Sequence, residues 1–313
     1  MATGTARLLQ WTATTRRRNR IGGFVMRAAG PLLPRTPAPK RPIFILGSPR
    51  SGTTMLVNLL DRSPSLASLE RGSQFLWELF HTIEGSGWDS HVVGPDEISD
   101  RERRVVYWAI DRISGPRRYL DKFPRNCLHG EYLYELFPDA SFVAIVRDGR
   151  AAVSSLITGW QTAGKFGQGT NLPVTLDIAG YRGDNWRFLV PPGWREFAQG
   201  HSLAEVCAFQ WSEANAAILR ARQRIPSAQW TEVRYEEFLD DPRATTSRLL
   251  TSLELPKEDA VLSWAAELDS HVSRTAVSDP SRDKWRREHP AEIASILARI
   301  APTMRLLGYD TEP

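Results

Sequence analysis

The chain has 313 residues, a formal net charge of +4, 42% hydrophobic and 24% charged residues, and two cysteines. Those values exclude a mostly disordered chain and a fold built on disulfides or a Cys-rich zinc site. The charge is unevenly placed: residues 1–60 hold ten Lys/Arg and no acid, so the remainder carries thirty basic against thirty-six acidic side chains. A nucleic-acid-binding domain would itself be basic, so no nucleic-acid partner is expected.

The first 41 residues form a basic arm containing Arg16, Arg17, Arg18 and Arg20. It reads as a solvated tail, as a contact for an anionic membrane surface, or as an acid-poor, Arg-rich transit peptide. No apolar run approaches the roughly 20 residues of a membrane span, so the expected location is cytoplasmic, peripheral to a membrane at most. The arm ends in Pro31-Leu32-Leu33-Pro34-Arg35-Thr36-Pro37-Ala38-Pro39. Prolines at that density block helix and sheet, and the stretch is read as a linker into one domain, residues 42–313.

Ile43–Leu46 is a short apolar run that predicts a buried strand, and Met55, Leu56, Leu59 and Leu60 then share one helical face. Ser141–Val146 predicts a second strand, stopped by Asp148-Gly149 and followed by a helix over Ala151–Ile157. Residues 160–200 show no clear period, hold many glycines, and carry the exposed-looking aromatics Trp160, Tyr181, Trp186 and Trp194. They read either as a lid or acceptor-site insertion or as an insertion packed by its own aromatics. Trp230–Val233 predicts a third strand, with a helix at 245–253. Ile293, Ile296, Leu297, Ile300, Met304 and Leu307 mark the buried face of a last helix. Strands alternating with helices imply an α/β fold: a P-loop-like, mostly parallel sheet with helices on both faces.

The loop after the first strand reads Gly47-Ser48-Pro49-Arg50-Ser51-Gly52-Thr53-Thr54. A Gly-bounded turn between strand and helix points successive backbone N–H groups at a phosphate, and the helix N-terminus reinforces them. Thr53 and Thr54 add hydroxyls. Nucleoside-triphosphatase loops place a lysine directly after the second glycine. Here that position is Thr53, and the cation sits inside the loop at Arg50. A nucleotide kinase or triphosphatase is therefore the alternative reading and not the first.

Pro49-Arg50-Ser51-Gly52-Thr53-Thr54 resembles the 5′-phosphosulfate loop of sulfotransferases that use 3′-phosphoadenosine 5′-phosphosulfate (PAPS). Val146-Arg147-Asp148-Gly149-Arg150-Ala151-Ala152-Val153-Ser154-Ser155 resembles their 3′-phosphate site, in which an Arg at a strand end and a Ser eight residues later hold the 3′-phosphate. Arg147 and Ser155 have that spacing, and a guanidinium fork with a hydroxyl suits a phosphate dianion. Leu120-Asp121-Lys122-Phe123-Pro124 resembles the family's Lys-x-Pro segment, which implies that Lys122 lies near the transferred sulfuryl group. Val233-Arg234-Tyr235-Glu236-Glu237-Phe238 resembles a further family segment in which Tyr235 approaches the adenine or packs against the strand. Lys284, before Trp285, and Ser273 resemble a loop that closes over the cofactor.

The resemblance runs from about Pro42 to Gly308 and is nearer the bacterial and tyrosylprotein branch than the cytosolic one. It implies cofactor contacts from Ser48, Arg50, Ser51, Gly52, Thr53, Thr54, Arg147, Ser155, Tyr235 and Lys284, with adenosine 3′,5′-bisphosphate (PAP) as product. Arg50, Lys122 and a base carry the catalysis. Pro124 stands where cytosolic enzymes carry their basic histidine. In the resembling branch the base is a glutamate about twenty residues past the loop arginine, which implies Glu70; His129 is the second candidate. No His/Asp/Glu cluster has metal-ligand spacing, and no metal is expected. The acceptor is expected to be a small molecule, a carbohydrate or a lipid-linked hydroxyl or amine, taken from the Trp- and Gly-rich 160–200 segment.

Overall fold

A computed structural model describes residues 26–69, 73–162, 169–268 and 283–312. Five parallel strands form the central sheet in the order β2-β3-β1-β4-β8: β1 (Ile43–Leu46), β2 (Leu66–Ala67), β3 (Arg118–Asp121), β4 (Ser141–Val146) and β8 (Trp230–Arg234). Helix α1 (Thr53–Leu60) follows β1, α2 (Asp100–Ser114) precedes β3, and α3 (Gly130–Leu136) precedes β4. Helices α4 (Gly149–Gln161) and α5 (Leu203–Arg224) lie between β4 and β8, and α6 (Tyr235–Asp240), α7 (Pro242–Ser252), α8 (Asp259–Ala266) and α9 (Pro290–Leu306) follow.

Every residue of β1 and β4 is buried, as a parallel sheet covered on both faces requires. Phe44 and Leu46 join Phe142 and Ala144 in the core on one face, and Ile43 and Ile45 join Val143 and Ile145 on the other. The chain leaves β1 for β2 and β3 on one side, then crosses to β4 and β8 on the other. The order therefore reverses at β1, and ligands of open parallel sheets bind at the carboxyl ends beside such a switch point.

The first two predicted strands match the observed bounds, α1 and α4 run beyond their predicted spans, and the helix expected at 245–253 is Pro242–Ser252. Several elements went unpredicted, among them β2 and β3, only two and four residues long, and the helices α2, α3, α5, α6 and α8. Of these, α2 and α5 open on capping boxes, Ser99 with Glu102 and Ser202 with Glu205, which is a readable start signal.

The 160–200 segment departs from the sequence expectation of irregular chain. β5 (Thr170–Ala179) pairs antiparallel with β6 (Tyr181–Trp186) and parallel with β7 (Gln199–Ser202) as a separate small sheet. Nor are the indoles exposed: Trp160, Trp186 and Trp194 are all at most 2% exposed. Trp160 and Trp186 meet edge-on at 5.6 Å, and Trp186 and Trp194 at 5.8 Å. Each indole N–H has a partner, Gln210 Oε1, Leu189 O and Trp88 O respectively. They are core, and their surface is not on offer to an acceptor.

The Pro-rich stretch also differs from a free linker at its start. It lies along α2, where Arg104 Nη1 donates to Pro31 O at 2.9 Å and Gly30 is buried close to Val105. Among the described residues no helix is long and apolar enough to cross a membrane.

Candidate active site

Four of the five parallel strands end in a predicted site residue. Gly47 opens the loop after β1, Lys122 follows β3, Arg147 follows β4 and Tyr235 follows β8. Parallel register alone therefore gathers residues up to 188 positions apart at one edge.

The loop is tightly wound. Ser48 and Ser51 share a hydroxyl–hydroxyl bond of 2.5 Å, and Ser51 N donates to Ser48 O at 3.1 Å. Arg50 and Gly52 both lie in the left-handed region, at φ 73° and 98°. Gly52 is required twice over, because any Cβ there would stand 2.6 Å from the Tyr235 ring. Gly52 brings no side-chain cap to α1, and the first turn of that helix holds no acid, so its N–H groups face the loop.

Three cations converge on this loop. Arg50 Nε donates to Ser155 Oγ at 3.0 Å, which joins the loop to α4. Arg147 Nη1 donates to Arg50 O at 2.8 Å, and its guanidinium lies 4.4 Å above the Tyr235 ring. Lys122 Nζ donates to Thr54 Oγ1 at 3.1 Å. The charges strain against burial and against one another. Burial, then the neighbouring Arg147, lowers Arg50 to about 10. Burial, opposed by Asp121 and assisted by Arg50, lowers Lys122 to about 8. The Nε of Arg147 is buried and, among the described residues, has no hydrogen-bond partner. A buried donor beside two further cations fits a phosphate dianion.

Tyr235 is thus the floor under Arg147, wedged against Gly52. Lys284 pairs with Glu288 at 3.0 Å at the start of a helical turn, Trp285–Glu288, that packs on α4. Glu70 and Ser273 lie outside the described residues. His129 is 3% exposed, donates Nε2 to His91 O at 2.8 Å, and is held down to about 4, chiefly by burial. A neutral imidazole so weakly basic is a poor proton acceptor at neutral pH.

Sequence reasoning missed two supports. Asp121, beside Lys122, is buried and receives hydrogen bonds from Ser73 Oγ, Trp77 Nε1 (3.0 Å), Tyr119 OH (3.0 Å) and Asn126 Nδ2 (2.6 Å). Burial pushes its pKa up while these donors hold it down. Asp148, beside Arg147, caps α4 through Arg150 N. Its own N–H donates at 3.0 Å to Glu236, which also accepts from Tyr309 OH at 2.7 Å. Both supports rest on contacts between distant segments, so only the capping aspartate had a local signal.

A Gly-bounded loop and three cations thus meet at the switch point of a parallel sheet. The profile of the sulfotransferase family matches residues 42–182 and 185–259. Protein-tyrosine sulfotransferase A of Caenorhabditis elegans is 24% identical over 294 residues, covering 86% of this chain and 67% of the relative. Protein-tyrosine sulfotransferase 1 of Homo sapiens is 25% identical over 290 residues, covering 86% and 69%. The chain spans 51% of the Drosophila melanogaster protein-tyrosine sulfotransferase. Sulfotransferase STF9 from Mycobacterium avium shares the fold, with a TM-score of 0.56 at 17% identity, covering 98% of this chain and 87% of that one. The chain belongs to the sulfotransferase family and is an enzyme of that class.

Proposed function

We propose that the protein transfers a sulfuryl group from PAPS to a hydroxyl or amine acceptor by in-line attack. The observation that carries the reading is the cluster of Arg50, Lys122 and Arg147 at the N-terminus of α1, with the Arg147 Nε buried and without a partner among the described residues. In this reading Ser48, Ser51, Gly52, Thr53 and Thr54 cradle the 5′-phosphosulfate, and Arg147 with Ser155 holds the 3′-phosphate. Lys284, at the start of the helical turn that packs on α4, is the proposed closing contact.

The cofactor supplies an activated sulfuryl group. Arg50 and Lys122 stabilise the charge that grows on the oxygen bridging sulfur and the 5′-phosphate as that bond breaks. The electron pair leaves with PAP. The acceptor oxygen or nitrogen forms the new bond to sulfur, and its proton passes to a base. Glu70 is the proposed base. Glu70 lies outside the described residues, and its assignment rests on the family resemblance. By analogy with phosphoryl transfer, most of the catalysis lies in positioning and charge stabilisation.

A kinase reading is not favoured, since Thr53 replaces the lysine that grips the β/γ-phosphates. Titration calorimetry with PAP and with ATP tests the assignment. PAP is expected to bind at least tenfold more tightly, and tighter binding of ATP would overturn it.

A further inference from the structure

The strand end that carries Lys122 is held by a buried acid that the transfer mechanism does not use. Asp121, 2% exposed, closes β3 one residue before the lysine. Four donors from three separate segments converge on it, two on each oxygen. Ser73 Oγ donates to Oδ1, as does Tyr119 OH at 3.0 Å. Trp77 Nε1 donates to Oδ2 at 3.0 Å, and Asn126 Nδ2 at 2.6 Å.

The donors select the ionised form. Trp77 Nε1 can only donate, and both hydroxyls have protons to give, so each carboxyl oxygen is an acceptor. Hydrogen bonds to the charged form oppose the burial that disfavours it. The same bonds fix the backbone on both sides of Lys122. Asn126 reaches back five residues to Asp121, while its own N–H donates to Phe123 O at 2.9 Å.

A lysine is a point charge on a flexible stem, so its ammonium stands where its backbone and its partners put it. Lys122 Nζ donates to Thr54 Oγ1 at 3.1 Å. The charges acting on that ammonium are Asp121, which favours it, and Arg50 from the loop after β1, which joins burial against it. Glu102, reached from Trp77 through the edge-on ring of Tyr132, is engaged with Tyr132 OH at 2.5 Å and His81 Nε2 at 2.8 Å. We propose that Asp121 is a positioning residue for the transfer step: held ionised by its four donors, it is the fixed counter-charge that keeps the Lys122 ammonium protonated and in place. That role rests on the sulfotransferase reading; the coupling of the two charges does not. Without the Asp121 charge, Lys122, already lowered to about 8, loses its proton nearer neutral pH, and the cation facing the bridging oxygen goes with it.

Asp121→Asn tests the coupling and keeps the shape. Its amide oxygen can accept from Trp77 and Asn126, while its N–H groups meet the Ser73 and Tyr119 hydroxyls, which can turn to accept. Tyr119→Phe is the control, because it removes one donor and leaves the charge. The chain has five lysines, so the Lys122 Cε resonance, assigned by its loss in Lys122→Arg, can be titrated directly by carbon-13 NMR. Its midpoint should drop by about half a pH unit or more in Asp121→Asn and by less than about 0.2 in Tyr119→Phe, since adjacent unit charges interact by that much even when well screened. The alkaline limb of kcat/KM for PAPS should move down with it. In the wild type, which needs no substitution to be read, the Asp121 carboxyl carbon should keep its ionised shift from roughly pH 6 to pH 9.

The proposal is overturned by an unmoved Lys122 midpoint in folded Asp121→Asn, by an equal drop in Tyr119→Phe, by a limb that stays while the midpoint moves, or by an Asp121 that is protonated at neutral pH. A coupled Lys122 in a protein that neither binds PAP nor turns over PAPS would instead refute the sulfotransferase reading and leave the pairing of charges standing.

Discussion

Replacing Arg147 by alanine removes the Nη1 bond to Arg50 O, the stack on Tyr235 at 4.4 Å, and a buried Nε that has no partner among the described residues. The Nε–H, which has no partner among the described residues, can serve a ligand without rearranging the loop. A hydrogen bond to a charged group contributes about 1.5–3 kcal/mol, which corresponds to roughly 10- to 150-fold in affinity. The lost support of the Arg50 carbonyl acts on the loop and weakens every nucleotide by a common, smaller factor. PAP binding should therefore weaken by at least tenfold more than binding of adenosine 5′-phosphosulfate, which lacks the 3′-phosphate. Arg147→Lys should recover only part of the difference, because an ammonium neither stacks on Tyr235 nor presents a planar fork. Titration calorimetry with both ligands on wild type and variants gives the comparison. Equal losses for the two nucleotides would show that Arg147 supports the loop without touching a 3′-phosphate.

The remaining predictions concern the loop, the lysine and the base. Gly52→Ala forces a side chain into the left-handed region, at about 1–2 kcal/mol, and drives the Tyr235 ring off its place under Arg147. A thermal midpoint lower by several degrees and tenfold weaker PAP binding are expected; an unchanged midpoint would contradict the geometry. Lys122, lowered to about 8, acts as a cation, so kcat/KM should fall as pH rises past about 8 and the proton is lost. Lys122→Arg stays charged and should remove that alkaline limb while lowering the rate; persistence of the limb would assign it elsewhere. Glu70→Gln should cut turnover by about 10²–10⁴-fold with PAP affinity nearly unchanged. Near-normal turnover in that variant would exclude Glu70 as the base.

How much could be read in advance depended on the range of the interaction. β1 and β4 were legible because strands buried on both faces are continuous apolar runs between turn residues. The Gly47–Thr54 loop was legible because its backbone demands glycine and its chemistry demands hydroxyls and a cation within eight positions. The resemblance named Arg50, Arg147, Ser155 and Tyr235 one by one, but the contacts of Arg50 with Ser155 and of Arg147 with Tyr235, across 105 and 88 positions, had no signal in the sequence. The four donors around Asp121 were invisible, since nothing near Ser73, Trp77 or Asn126 marks a common partner. The indoles of Trp160, Trp186 and Trp194 misled in the opposite sense. Their glycine- and proline-rich surroundings suggested exposure, whereas their N–H groups had found buried acceptors and their rings had found each other.

The central claim is the identity of the transferred group, and one comparison addresses it directly. The protein is incubated with a fractionated extract and either radiosulfur-labelled PAPS or γ-labelled ATP, and covalent labelling of any acceptor is followed, with Arg50→Ala as the control. The account predicts labelling from PAPS by the wild type, its loss in Arg50→Ala, and none from ATP. Labelling from ATP with none from PAPS would contradict it.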